Sequence, residues 1–366
     1  MRVLFVSAPL LGHVLPLVPL AEALRRAGHE VLIGTAADAV TAGRTRKLPV
    51  ADVAPGLSFA RVARRMMLRH PLVARAELAG TAGTRGVALL FGAVNERLVD
   101  GVAALTDRFR PDLVVYEPLA VAGAVAAARR GIPAVRHENN LFDGAVLAAA
   151  TAGPALRRHR VATLPDPVTA VQLAPPELVG ERPGIPMRHL PCAAGETTGA
   201  FPVRPQRPRI AVSRSTVDGP GGGGIMRAVV AVAADVRADI LLVRPEPGLP
   251  ARLPDNVFTT GWVPLDALMP TLDAVVHHGG AGTVLGALAA GVPQLVVPGP
   301  GDRRHNATVV ERSGAGWAVS APAITADQLH RLLSDYGLRT SAGRFRASIA
   351  ARPHPDEVAT RLAAAV

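Results

Sequence analysis

Residues 274–297 read AVVHHGGAGTVLGALAAGVPQLVV. A short apolar run meets a glycine turn, then an alanine-rich stretch of helical length closed by Gly291, then a second apolar run. That order spells strand, helix, strand. The runs are continuous rather than alternating, as in strands buried on both faces of a parallel sheet.

The same punctuation recurs along the chain. RVLFVSA opens it as a strand, a helix pattern runs from about Leu15 to Ala27 with Gly28 as its stop, and EVLIGTA is a second strand. PDLVVYEP, LAVAGAVAAARRG and IPAVRHE repeat strand, helix and strand. From about Leu178 to Pro208 proline and glycine accumulate without lasting periodicity, which predicts a linker. Alternation then resumes with RIAVSRS, a helix after GPGGGG, DILLVRP, VFTTGWV, AVVHH, a helix from Ala281, PQLVVPG and a helix after Asp302. The expectation is an α/β chain of two doubly wound domains, 1–190 and 209–366, joined by a linker over 191–208. The C-terminal helix is expected to pack back on the first domain. Ligands of such sheets bind at the carboxyl ends of the strands, and with two domains the default site is the cleft between them. Residues 56–95 break the alternation. Met66, Met67, Leu68, Leu72 and Val73 stand near helical spacing and read as a core face, and the insertion is also a candidate acceptor-binding element.

Composition removes several classes of function. The net charge is +11, yet Lys47 is the only lysine, the arginines form no run, and aromatic residues are 3% of the chain. Nucleic-acid binding needs a clustered basic footprint or stacking platforms, and neither is present. A positive field favours an anionic small substrate instead. Pro9, Pro16 and Pro19 interrupt the apolar N-terminus, against a signal peptide, and no run has the length of a membrane span. Cys192 is the single cysteine, so no intrachain disulfide forms; the expectation is a cytoplasmic protein.

AVVHHGGAGT places a buried strand before a glycine turn and a helix start. Amides there lack partners and carry the positive end of the helix dipole, so an anion, most simply phosphate, fits. Gly279, Gly280 and Gly282 allow close approach, and Thr283 adds a hydroxyl. His277 and His278 are neighbours in a strand and point to opposite faces, so they cannot share a metal; His278 is the phosphate donor and His277 a structural residue. The fingerprint of a dinucleotide-binding dehydrogenase, G-x-G-x-x-G with an acid ending the next strand, is absent.

The longer stretch WVPLDALMPTLDAVVHHGGAGTVLGALAAGVPQLVVPGPGDRRHNA resembles the donor-binding motif of nucleotide-sugar glycosyltransferases with two Rossmann-like domains facing a central cleft, the GT-B architecture. VSAPLLGHVLPLVPLAEALRRAGHEV and PDLVVYEPLAVAGAVAAARRGIPAV are similar to the same family, in its bacterial branch that glycosylates antibiotics and other natural products. The resemblance implies inverting transfer without a metal or cofactor, from a nucleoside diphosphate sugar to a small, largely apolar acceptor. It implies Trp262 stacked on the pyrimidine and the Val263 backbone reading its edge, with His278, Gly280, Gly282 and Thr283 on the diphosphate. Ser215 and Thr216 complete that cradle, and Asp302 binds sugar hydroxyls with Arg303 beside it. Two alternatives stay open: Trp262 as core, and Asp302 as a helix N-cap. Gly286 stands where relatives using UDP-sugars carry a glutamate for the ribose diol, which implies a dTDP-sugar. Arg303 replaces a usual glutamine, and Arg214 and Ser215 replace a usual Leu-Gly.

His13, in PLLGHVLPL, follows the first strand, and Glu117 ends the strand DLVVYE at the position where the family carries an acid, usually aspartate. An acceptor hydroxyl needs a base near neutral pH, which imidazole supplies, and a carboxylate on its far nitrogen fixes the tautomer. The alternative for His13 is a helix-start cap. The rival functions are transfer from a UDP-sugar to a lipid-linked acceptor and an inactive nucleotide-sugar-binding helper; the expected partners are donor and acceptor, with no nucleic acid, no stable membrane insertion and a homodimer left open.

Overall fold

The computed structural model of the chain describes residues 1–45, 48–191, 207–216 and 224–365. Most of the expected linker, with Cys192, and the glycine run before the helix at Ile225 lie outside the described residues. The chain divides into two compact units. The first comprises Met1–Pro176, Gly180–Arg188 and Arg352–Val366, and the second Glu177–Val179 and His189–Ala351.

The first unit is built on a seven-stranded parallel sheet, order β3-β2-β1-β4-β5-β6-β7. Its strands are β1 (Arg2–Val6), β2 (Glu30–Thr35), β3 (Val50–Asp52), β4 (Leu113–Tyr116), β5 (Ala134–Glu138), β6 (Thr169–Gln172) and β7 (Ile185–Pro186). β1 and β4 are its centre: Phe5 pairs with Ile33 on one side and Val115 on the other. All three side chains are inaccessible, each such burial contributing about 1.5–3 kcal/mol. The helices are α1 (Leu11–Val14), α2 (Val18–Arg26), α3 (Asp38–Thr45), α4 (Phe59–Arg69), α5 (Pro71–Ala79), α6 (Arg85–Phe109), α7 (Ala122–Ala128), α8 (Gly144–His159) and α9 (Pro176–Val179). The first helical run begins at Leu11, earlier than Leu15, with a 3₁₀ turn over Leu15–Leu17. Pro16 and Pro19 are tolerated because each sits in a first turn, where its missing N–H has no intrahelical role.

The core-face reading of residues 66–73 is corrected. Leu68 and Leu72 are 75% and 82% exposed, and Met66, Met67 and Val73 are half-buried. α4 ends at His70, with φ −129° and ψ 61°, and α5 restarts at Pro71. The break resets the helical phase, so residues on either side of it do not share a face.

The second unit carries a six-stranded parallel sheet, order β10-β9-β8-β11-β12-β13. These are β8 (Arg209–Ser213), β9 (Asp239–Val243), β10 (Val257–Thr260), β11 (Ala274–His277), β12 (Gln294–Val296) and β13 (Gly316–Ala318). Val276 pairs with Val212 and Leu295, all three fully buried. The helices are α10 (Ile225–Val232), α11 (Leu265–Leu268), α12 (Ala281–Ala290), α13 (Arg303–Ser313), α14 (Ala326–Ser334) and α15 (Tyr336–Ala350). α14 starts at a reciprocal cap in which Thr325 and Gln328 each accept the other's backbone N–H.

The chain ends in the first unit with α16 (Pro355–Ala364), whose Val358, Ala359 and Leu362 are buried against α2 and its surroundings. Arg352 anchors this return, donating to the Gln172 carbonyl at 2.6 Å and the Met187 carbonyl at 3.2 Å. The Arg26–Asp356 ion pair beside it spans 2.6 Å but is half-exposed, so burial holds the helix more than charge does. Among the described residues no helix is long and apolar enough to cross a membrane.

Candidate functional site

Each sheet reverses its winding at one place. In the first it lies between β1 and β4, and in the second between β8 and β11. Loops leaving adjacent strands in opposite directions open a crevice there, the usual ligand position in α/β sheets.

At the first of these points stand His13 and Glu117. Glu117 directly follows β4 and is inaccessible to solvent. Its Oε1 accepts the Ala8 N–H at 3.0 Å and its Oε2 the Leu119 N–H at 2.9 Å, so the carboxylate ties the two loops together. The same Oε2 lies 3.2 Å from His13 Nδ1. With Nδ1 turned to a carboxylate, the Nε2 lone pair is left to take a proton. His13 sits in the last turn of α1, whose N-cap is Leu10, so the helix-cap alternative fails. Asn139 reaches the His13 carbonyl from the end of β5, at 3.4 Å.

The sequence reading missed the aromatic residues around this imidazole. The Phe91 ring centroid is 5.8 Å from that of His13, and Phe59 is 5.7 Å from Phe91. Both come from the irregular segment 56–95. They belong to an apolar cluster with Ala8, Leu119 and Leu147, edged by the partly buried Leu10, Leu90 and Phe142. The available signal was two of the chain's 8 phenylalanines falling in one insertion.

The second crevice is built on the turn between β11 and α12. Gly279 has φ 87°, and a Cβ on it would lie 3.0 Å from the Arg303 carbonyl oxygen, so only glycine fits. Gly280 is the N-cap of α12 and supplies no side-chain cap, leaving the amides of Ala281, Gly282 and Thr283 as donors at the helix start. A Cβ on Gly280 would come within 2.7 Å of His278 Nε2, whereas one on Gly282 would meet no protein atom within 4 Å. Glycine at 282 therefore answers no packing demand of the protein.

The two histidines divide as their strand positions dictate. His277 is wholly buried; its Nδ1 accepts the Gly279 N–H at 3.1 Å and its Nε2 lies 2.9 Å from Gln294 Oε1. Burial holds its pKa down to about 4, so the ring is neutral and its tautomer fixed. His278, half-buried beyond the strand end, has no protein partner at Nδ1. Burial, then the charge of Arg303, brings its pKa to about 3, so this ring too is neutral.

Ser215 is buried in the loop after β8 and accepts a hydrogen bond from Arg303 Nη2 at 2.8 Å; Thr216 next to it is exposed. Asp302 occupies the N-cap position of α13, as the alternative reading had it, but its side chain makes no capping bond; its Oδ2 accepts from Asn306 Nδ2 at 2.8 Å. Asn306, which sequence reasoning passed over, also donates to the Gly279 carbonyl at 2.8 Å and so fastens α13 to the glycine turn. Its signal was the helical i, i+4 spacing from Asp302. Trp262 is 46% exposed and not core, while Val263 beside it is buried with Leu241 and Val243. Both lie beyond the end of β10 at the sheet edge, two strands from β8. Among the described residues no group of three or more His, Cys, Asp or Glu could hold a metal ion.

Comparison with known proteins supplies the class. Residues 22–174 match the family described as erythromycin biosynthesis protein CIII-like, N-terminal domain, and residues 226–365 match its C-terminal domain. Elloramycin glycosyltransferase ElmGT of Streptomyces olivaceus is 35% identical, over 99% of this chain and 97% of that one. The crystal structure of the glycosyltransferase SnogD from Streptomyces nogalater superposes with a TM-score of 0.83 at 34% identity, covering 100% and 99% of the two chains. That of SsfS6 of Streptomyces sp. SF2575, complexed with thymidine diphosphate, does so at 0.82 and 27%, with the same coverage. This chain, with its two Rossmann-like parallel sheets, therefore belongs to the erythromycin CIII-like family of antibiotic glycosyltransferases, enzymes of the hexosyltransferase class.

Proposed function

We propose that the enzyme moves a deoxyhexose from a dTDP-sugar to a hydroxyl of a small apolar natural product, with inversion and without a metal. The observation that carries this reading is His13 Nδ1 lying 3.2 Å from a buried carboxylate, beside an apolar cluster. His13 Nε2 takes the acceptor proton as the oxygen attacks the anomeric carbon. The bond from that carbon to the β-phosphate oxygen breaks on the opposite face, which inverts the centre. Glu117 stabilises the imidazolium that forms. Leu10, Phe59 and Phe91 offer the acceptor an apolar surface.

On the donor side, Trp262 stacks on the base and the Val263 backbone reads its edge. The α12 amides, Thr283, His278, Ser215 and Thr216 take the diphosphate, and Asp302 takes sugar hydroxyls. A helix start and a guanidinium supply the positive charge that a cation supplies elsewhere. Gly286, buried in α12, gives a ribose 2′-hydroxyl no acceptor, and the SsfS6 complex with thymidine diphosphate supports the same choice.

The test is thermal unfolding in a chelating buffer with dTDP or UDP. A ligand of the folded state stabilises by about 2.7 kcal/mol at a hundred times its Kd. The expected result is a larger upward shift with dTDP. A larger shift with UDP overturns the donor assignment, and a shift that appears only on adding magnesium overturns the metal-free reading.

A further inference from the structure

Arg303 starts α13, beyond β12, yet its guanidinium hydrogen-bonds Ser215, beyond β8. β11 lies between those strands in the sheet. The arginine side chain therefore crosses the carboxyl end of β11, over the turn that carries His278 and Gly279, and its backbone packs directly on Gly279. That places a cation across the winding reversal and beside the first turn of α12.

Sequence alone put Arg303 with the sugar, next to Asp302. Their hydrogen-bond partners differ, however: Asp302 is held by Asn306 on its own helix, and Arg303, though within reach of the Asp302 charge, is held by the β8 loop. A guanidinium presents a planar fork of donors that suits two phosphate oxygens at once, and a fork anchored at one corner is already oriented. His278, near enough for the Arg303 charge to act on it, has a buried nitrogen with no protein partner, a second sign that a ligand completes the cluster.

We propose that Arg303 is a catalytic residue that binds the β-phosphate and stabilises the departing diphosphate, and that Ser215 is its positioning residue. When the bond between the anomeric carbon and the β-phosphate oxygen breaks, its electron pair stays on that oxygen, and the guanidinium meets the charge that develops. This rests on the dTDP-sugar reading above and assigns the leaving-group half of it.

The experiment is calorimetry with dTDP and with dTMP, which lacks the β-phosphate, on the wild type, Arg303→Gln, Arg303→Lys and Ser215→Ala. Thermal unfolding of each variant confirms the fold. Arg303→Gln is expected to lose about 10- to 100-fold in dTDP affinity, the worth of one or two charged hydrogen bonds, with dTMP affinity unchanged. Its kcat falls by a similar factor with little change in acceptor KM. Arg303→Lys recovers part of the dTDP affinity, and Ser215→Ala shows a smaller loss with the same preference for dTDP over dTMP as the ligand affected. Equal effects on dTDP and dTMP overturn the proposal. So does unchanged dTDP affinity with a raised KM for the dTDP-sugar, which returns Arg303 to the sugar. A wild type that binds neither nucleotide overturns the donor reading itself.

Discussion

The winding reversals of the two sheets are the same piece of topology filled with opposite electrostatics. In the first unit the residue after β4 is a carboxylate, Glu117, tied by two backbone N–H groups and facing a mostly buried imidazole. In the second, the residue after β11 is His278, kept neutral by burial and by Arg303. In the proposed reading one crevice accepts a proton, and the other presents donors and a cation to an anion. The fold supplies the loops and the helix starts; the sign of the chemistry comes from one residue beyond a strand end. A histidine is a base beside a carboxylate and a plain hydrogen-bond donor beside an arginine.

The largest expected effect breaks the first half of this contrast. His13→Ala lowers turnover on an aliphatic hydroxyl acceptor by about 10²–10⁴-fold and leaves dTDP affinity untouched. Glu117→Gln falls less, because the base remains while its orienting carboxylate is gone. The acidic limb of the pH–rate profile disappears in His13→Ala. Near-wild-type turnover of that variant on the aliphatic alcohol would end the base assignment.

The second half breaks at His278. Replacing it by alanine removes one hydrogen bond to a charged group, about 1.5–3 kcal/mol, so dTDP affinity measured by calorimetry should drop by one to two orders of magnitude. Unchanged affinity makes His278 structural, like its neighbour.

The smallest effect sharpens the comparison through stability. His277 and His278 have folded pKa values of about 4 and about 3, below the 6.5 of a free imidazole. Between pH 6.5 and about 4 the unfolded chain therefore binds protons that the folded chain refuses. Stability of the second unit is full above pH 6.5 and falls as the pH drops through that window, by up to about 1.4 kcal/mol per pH unit for each proton. Trp262 and Trp317, the chain's 2 tryptophans, both belong to this unit, so denaturant midpoints followed by tryptophan fluorescence report on it alone. His278→Gln should flatten the dependence between pH 6.5 and 5; an equal slope would show that His278 does not carry it.

Much of this was legible in the chain because it is local. The central strands β1, β2, β4, β8, β9 and β11 are largely apolar runs, since both sheet faces are covered. The turn at Gly279 and Gly280 and the helix that follows also read directly, because strand, turn and helix start are consecutive. β3, β7 and β13 did not stand out: with three, two and three residues, they are too short to show a run. Leu68 and Leu72 misled because spacing is a helical signal only while the helix is unbroken, and it breaks at His70.

The sequence by itself determined the two wound sheets, the glycine turn at the start of α12 and the two histidines in different surroundings, because strand and helix periodicity and the alternation of side chains along a strand are properties of neighbouring residues. Only the tertiary structure decided what Arg303 holds and what surrounds His13. Ser215 and Arg303 are 88 positions apart, and His13 meets Glu117 and Phe91 only because β1 and β4 pair in register and α6 packs against the same sheet. A side chain's charge is written in the sequence, but the group it faces is set by which strand ends lie side by side.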